Sequence, residues 1–268
     1  MPELPEVETT LRGIRPFLLG ETIADIIIRQ RSLRWPVTQG IETSIRGSAI
    51  KEISRRAKYL QFHLDNGSML VHLGMSGSLR VLKQPGVWKK HDHIELKLKS
   101  GNMLRYHDPR RFGSWLWSQG GHWQLEKLGP EPLSEGFDGE YLYRLSKRRQ
   151  VAVKAFIMNN SVVVGVGNIY ASESLFLSGI RPDRPAGRIS KKRYTMLAEN
   201  IKITLKRAID RGGTTLRDYS NGNGDPGYFK QELFVYGRNS LPCKNCLSQL
   251  TEKRIGQRSS VFCKRCQV

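Results

Sequence analysis

The sequence predicts an α+β protein: an N-terminal helix leading into a β-sandwich, then a C-terminal helical domain and a small cysteine-bearing finger. Three observations predict it. Short apolar runs with a period of two fill the stretch from about 22 to 118, as expected of strands with one buried face. Beyond about 150 the period becomes helical. All four cysteines lie at or beyond position 243.

Taken in order, Val7, Leu11, Ile14 and Leu18 form the apolar stripe of a helix over 5–19. Pro5 suits its first turn and Gly20 its C-terminal cap. Pro16 removes a backbone donor and should loosen the last turn. Strands are expected at 23–30, 59–64, 68–73, 79–82, 94–98, 103–107 and 114–118, separated by turn signals such as Asp65-Asn66-Gly67 and Ser100-Gly101. Ile94, Leu96 and Leu98 alternate with Glu95, Lys97 and Lys99, the mark of a half-buried strand. Several short strands of this kind suggest a sandwich. The expected organisation is a β-sandwich domain over 1–130, a linker over 131–150 containing Lys147-Arg148-Arg149, a helical domain over 151–236 and a finger over 237–268. Leu197, Ile201, Leu205 and Ala208 mark one face of a helix from about 190 to 211. Five glycines between 212 and 228, with Asn221, Asn223 and Pro226, predict an exposed, mobile loop.

Composition narrows the function. With 44 Lys+Arg against 24 Asp+Glu among 268 residues, the net charge is +20. A pI near 10.1 is the electrostatic footprint of a protein that binds a polyanion, nucleic acid first. Hydrophobic content of 38% with 25% charged residues describes a folded chain. No apolar run approaches the roughly 18 residues of a membrane span. The opening Met1-Pro2-Glu3-Leu4-Pro5-Glu6 lacks the basic and apolar regions of a secretory leader, so a reducing compartment is expected.

Cys243, Cys246, Cys263 and Cys266 follow the spacing C-x2-C-x16-C-x2-C. Two such knuckles converging on one ion supply four thiolates in a tetrahedron, a closed structural zinc site. The alternative is a pair of disulfides, which a reducing compartment disfavours.

The N-terminus carries the other chemical signal. Removal of Met1 would leave Pro2 with a free secondary amine at the start of a helix. An α-amino group titrates near about 7.7–8.0 against about 10.4 for lysine, and the positive end of the helix dipole favours its free base further. Such an amine can attack an acetal or aldehydic carbon and form an iminium, with Glu3 beside it as proton-transfer partner. If Met1 stays, that amine is lost in a peptide bond. Pro and Glu are also ordinary first-turn residues.

The order of motifs is similar to that of the bacterial formamidopyrimidine-DNA glycosylases. The resemblance rests on Pro2-Glu3-Leu4-Pro5-Glu6-Val7-Glu8, Arg55-Arg56-Ala57-Lys58-Tyr59-Leu60 and His72-Leu73-Gly74-Met75-Ser76-Gly77. It continues through Lys90-His91-Asp92-His93, Asp108-Pro109-Arg110-Arg111-Phe112-Gly113, the segment Val163–Ala171 and the cysteine finger. It spans essentially the whole chain and points to the branch acting on oxidised purines, rather than the endonuclease VIII group.

The resemblance implies a helix–two-turn–helix in the helical domain and a bifunctional repair enzyme acting on duplex DNA. It implies that Pro2 attacks the sugar C1′, that Glu3 protonates the opening ring, and that Lys58 contacts phosphate and assists β-elimination. Glu6 is a supporting carboxylate, with helix capping as an equal account. A base in the stack must be flipped out to be reached; Met75, Arg110 and Phe112 match the residues that fill the gap, Arg110 facing the orphaned cytosine. Asn168, His91 and Arg149 match DNA contacts, and Arg258 a phosphate clamp that also assists δ-elimination. The glycine-rich segment around Thr214–Tyr228 matches the loop over the flipped base. A bacterial, nucleoid-associated cytoplasmic monomer holding one structural zinc is implied, with no other cofactor and no membrane partner. An oxidised-pyrimidine enzyme and a non-catalytic zinc-ribbon DNA binder are the rival readings.

Overall fold

Alternating burial along the expected strands resolves into two four-stranded antiparallel sheets. The computed structural model describes residues 2–213 and 232–268; Met1 and the loop expected around Thr214–Tyr228 lie outside the described residues. Two compact units emerge, one containing the described residues up to Leu125 with 211–213, the other Glu126–Asp210 with 232–268.

In the first unit, helix α1 (Leu4–Leu18) precedes β1 (Ile23–Ile28), the short α2 (Ile41–Ile45), β2 (Ile50–Arg56), β3 (Tyr59–Leu64), β4 (Gly67–His72), β5 (Ser78–Leu82), β6 (Asp92–Leu98), β7 (Met103–His107) and β8 (Ser114–Ser118). One sheet has the order β1-β6-β7-β5 and the other β2-β3-β4-β8. Leu60, Phe62, Met69, Val71 and Trp115 from the second meet Ile94, Leu96, Leu104 and Tyr106 from the first, with Val7, Leu11, Ile14 and Leu18 of α1 in the same core. This is the expected helix-plus-sandwich, and the predicted stripe of α1 is the buried one. Pro16 sits inside α1, which ends two residues later at Leu18.

Two elements escape a period-two reading for a visible reason. In β2 the register shifts between Ile50 and Glu52, so its fully buried residues, Ile50 and Ile53, are spaced by three. The α2 helix is only five residues long. The half-buried reading of β6 is corrected by the structure: Glu95 is 2% exposed. Its carboxylate accepts from the Arg105 guanidinium of β7, which also donates to the Gly86 and Val87 carbonyls and lies 4.4 Å from the Trp88 ring centroid. A loop therefore covers the face expected to meet solvent.

A one-turn helix α3 (Trp123–Glu126) precedes the elements of the second unit: α4 (Gly139–Ser146), α5 (Val153–Ile157), α6 (Asn168–Leu177), α7 (Lys191–Asp210) and the hairpin β9 (Thr251–Ile255) and β10 (Arg258–Phe262). The stretch 131–150, expected as a linker, contains α4, N-capped by Asp138 through the Tyr141 amide. A Cβ on Gly139 would meet the Thr195 backbone at 2.3 Å, so α4 and α7 approach closely. Leu197, Ile201, Leu205 and Ala208 of α7 are buried as predicted. Among the described residues no helix is long and apolar enough to cross a membrane.

Phe62 is fully buried and stacks on Trp115 with centroids 6.5 Å apart. Phe62→Ala is expected to cost about 3–5 kcal/mol of stability, read as a lower urea midpoint.

Candidate active site and nucleic-acid interface

The first residues of the chain are held by local chemistry. Glu3 is the N-cap of α1 and forms a reciprocal capping box with Glu6: its side chain accepts from the Glu6 backbone amide. The Glu3 backbone amide donates to Glu6 Oε2 at 2.8 Å. Pro2 is buried, and Glu3 and Glu6 are 2% and 0% exposed. The box answers two of the donors every helix N-terminus leaves unmet, and it fixes Glu3 directly beside Pro2. Glu6 therefore has a structural role in this pair. Gly213 lies against it, and a Cβ there would meet Glu6 Oε1 at 3.2 Å.

Lys58 sits in the two-residue turn between β2 and β3, where Arg56 faces Tyr59 and Ala57 adopts φ 56°. That conformation is uncommon for a side-chain-bearing residue. Arg55 secures it, donating through Nη1 to the Ala57 carbonyl at 3.0 Å and through Nε to Glu8 Oε2 of α1 at 2.9 Å. The turn bearing Lys58 is thereby tied to the helix that follows Pro2 and Glu3.

The structure adds His72, which in the sequence stands out only as part of the His72–Gly77 motif. The Gly74 amide donates to His72 Nδ1 at 2.9 Å, leaving the ring proton on Nε2. Burial first, then the charges of Lys58 and Arg34, pull its pKa down to about 4. A neutral Nε2–H donor beside a lysine suits an anionic ligand. No spacing signal marks His72, which closes β4 in regular register with Tyr59 and Ser114.

Met75, Arg110 and Phe112 come together on two adjoining loops. Arg110 is exposed, with its guanidinium carbon 4.9 Å from the Phe112 centroid; Phe112 is 44% exposed and Met75 half-buried. The loops abut backbone to backbone: a Cβ on Gly74 would meet Gly113 N and Phe112 C at 2.4 Å. An exposed phenylalanine under an arginine is not a core residue. His91 is partly exposed, and its carbonyl accepts from the Asp108 amide at 3.0 Å.

In the second unit, Asn168 is the first residue of α6, after Gly167 at the N-cap. Its Oδ1 is buried without a partner among the described residues, and Gly165 takes φ 78° in the preceding turn. Arg149 is exposed on a backbone pinned by Ser146 and Gly187. Arg258 is exposed directly after the tight turn at Gly256 and Gln257, with φ 51° and 61°, at the tip of the β9–β10 hairpin.

The four cysteines are unpaired, and their Sγ atoms all lie within 4.8 Å of one another. Cys243 and Cys266 Sγ are 3.9 Å apart and those of Cys246 and Cys263 3.5 Å. Zinc–sulfur bonds of about 2.3 Å in a tetrahedron place sulfurs about 3.8 Å apart, so the set fits one ion. The Asn245 and Cys266 amides point at Cys243 and Cys263 Sγ. Gln267 accepts from the Cys263 amide and donates to the Ile180 carbonyl.

Comparison with known proteins sets these features in a family. Residues 1–115 match the formamidopyrimidine-DNA glycosylase N-terminal domain, and residues 128–220 the formamidopyrimidine-DNA glycosylase H2TH domain. This chain belongs to the formamidopyrimidine-DNA glycosylase family. It is 57% identical to the Stutzerimonas stutzeri formamidopyrimidine-DNA glycosylase and 56% to that of Pseudomonas aeruginosa, in each case over 100% of both chains. Among solved structures, the MutM (Fpg) protein of Thermus thermophilus superposes with TM-score 0.89 at 36% identity, covering 99% of this chain and 98% of that one. The Lactococcus lactis Fpg in complex with DNA containing an abasic site superposes with TM-score 0.92 at 31% identity, covering 99% of both chains.

Because the His72 pKa is lower folded than unfolded, the unfolded chain takes up this proton first. Its contribution to stability is present above about pH 6.5 and declines as pH falls toward about 4. An NMR titration of the ring is expected to show a midpoint near about 4, moving upward in Lys58→Met.

Proposed function

We propose that this protein excises oxidised purines, 8-oxoguanine and formamidopyrimidines, from duplex DNA and then cuts the strand at the resulting abasic site. The observation that carries the reading is the buried Pro2 set directly before the Glu3–Glu6 capping box. With Met1 removed, the Pro2 nitrogen attacks C1′ of the damaged nucleotide and the N-glycosidic bond breaks, its electrons leaving with the base. Glu3 donates a proton to the ring oxygen as the sugar opens, which gives an iminium between Pro2 and C1′. Loss of the C2′ proton expels the 3′ phosphate, a second elimination expels the 5′ phosphate, and hydrolysis frees the amine.

The remaining residues bind and hold. Lys58 and His72 offer a cation and a neutral N–H donor to the phosphates flanking the lesion. Met75, Arg110 and Phe112 enter the stack in place of the flipped nucleotide, Arg110 presenting its donors to the opposite cytosine. His91, Arg149 and the amides opening α6 with Asn168 contact the backbone, and Arg258 reaches phosphate from the hairpin tip. Cys243, Cys246, Cys263 and Cys266 would hold zinc, which would supply a structural cross-link flanking that hairpin rather than chemistry, since four thiolates leave no open position for substrate. We place the work in the bacterial cytoplasm, at the nucleoid, by a monomer.

Borohydride trapping on a duplex carrying 8-oxoguanine opposite cytosine tests the chemistry, with intact mass reporting Met1. Met1-free protein is expected to yield a covalent adduct, and protein retaining Met1 none. No adduct and no strand break from Met1-free protein would overturn the reading, and faster release of thymine glycol than of 8-oxoguanine would move it to oxidised pyrimidines. Elemental analysis is expected to find one zinc per chain, lost in Cys263→Ser together with salt-sensitive DNA affinity.

A further inference from the structure

Asp108 is fully buried and makes no ion pair among the described residues. Three neutral donors converge on its carboxylate: Ser76 Oγ at 2.7 Å, Tyr106 Oη at 2.9 Å and the Gly113 amide at 2.9 Å. Its backbone carbonyl bonds His93 Nε2 at 2.8 Å. Asp108 directly follows the last residue of β7, and burying a carboxylate without a cation is costly.

What the carboxylate joins gives it a purpose. Ser76 is next to Met75, and Gly113 is next to Phe112. Ser76 Oγ donates to Asp108 and at the same time accepts from the Arg110 backbone amide at 3.2 Å. One buried group thus ties the loop bearing Met75 to the loop bearing Arg110 and Phe112. The loops are already in backbone contact at Gly74 and Gly113, so these bonds set the register in which they meet.

We infer that Asp108, acting through Ser76, is a positioning residue that holds Met75, Arg110 and Phe112 as one rigid wedge and thereby sets discrimination for the base opposite the lesion. This rests on the gap-filling roles given above. Asn at 108 can offer a hydrogen-bonding atom to both Ser76 and Gly113, whereas Ala offers none. Tyr106 bonds the same carboxylate from β7 without bridging the loops, so Tyr106→Phe removes a buried bond of the same kind and leaves the bridge intact.

The experiment compares single-turnover excision of 8-oxoguanine opposite cytosine and opposite adenine, with thermal midpoints for each variant. Ser76→Ala and Asp108→Ala are expected to lower the cytosine-to-adenine rate ratio roughly fivefold, the size of one hydrogen bond's net worth. Asp108→Asn is expected to retain most of the ratio, and Tyr106→Phe to lower the midpoint while leaving the ratio unchanged. The inference is overturned if Ser76→Ala folds and keeps the full ratio, or if Tyr106→Phe lowers it equally. Arg110→Ala separates the two readings. A collapse there without one in Ser76→Ala refutes only the positioning role, whereas an unchanged ratio in Arg110→Ala refutes the gap-filling assignment and the inference with it.

Discussion

With Met1 removed, the Pro2 nucleophile proposed above has no preceding backbone to hold it, so the proposed chemistry depends on how the first turn of α1 is anchored. The Glu3–Glu6 capping box does this locally, each side chain answering the other's backbone amide. The buried stripe from Leu4 to Leu18 does it globally, seating α1 in the sandwich core. Two carboxylates this deeply buried are tolerable because the helix N-terminus supplies amide donors and a favourable dipole. The same dipole favours the unprotonated form of an adjacent amine, so the arrangement that stabilises the helix also suits the role proposed for Pro2.

The other residues proposed for the first unit's site sit on short connections between rigid strands, where side chains can reach a ligand while the backbone stays fixed. Lys58 occupies a strained two-residue turn braced by Arg55 against both Ala57 and Glu8. Met75, Arg110 and Phe112 occupy two loops whose glycines allow backbone contact that any Cβ would forbid at Gly74. Strand pairing sets where those loops begin, and buried polar bonds set how they meet.

The second unit relies on buried polar groups to place its hairpin and finger. The Lys154 ammonium, 1% exposed, donates to the Ser259 carbonyl and Ser260 Oγ, fastening β10 beside Arg258. Glu173 accepts from the Phe234, Val235 and Tyr236 amides, fixing the segment that leads into the first cysteine knuckle. Burial pushes the Glu173 carboxyl upward while the three amides oppose it. Neither residue stands out in the sequence, where a lone lysine and a lone glutamate read as solvated surface.

Where one periodic signal dominated, the sequence by itself determined the outcome: the α1 stripe, most strands of the sandwich, the α7 face from Leu197 to Ala208, and the paired cysteine knuckles. Local burial and fixed ligand spacing are written along the chain. Bulges hid β2, since a single extra residue breaks a period of two. Helix α6 showed no period because it is buried almost all round, from Ile169 to Phe176. The motif residues of the site were legible through family resemblance, but their support was not. Asp108, Ser76, His72 and Arg55 act through partners up to 47 positions away, and only the tertiary structure decides which distant groups meet.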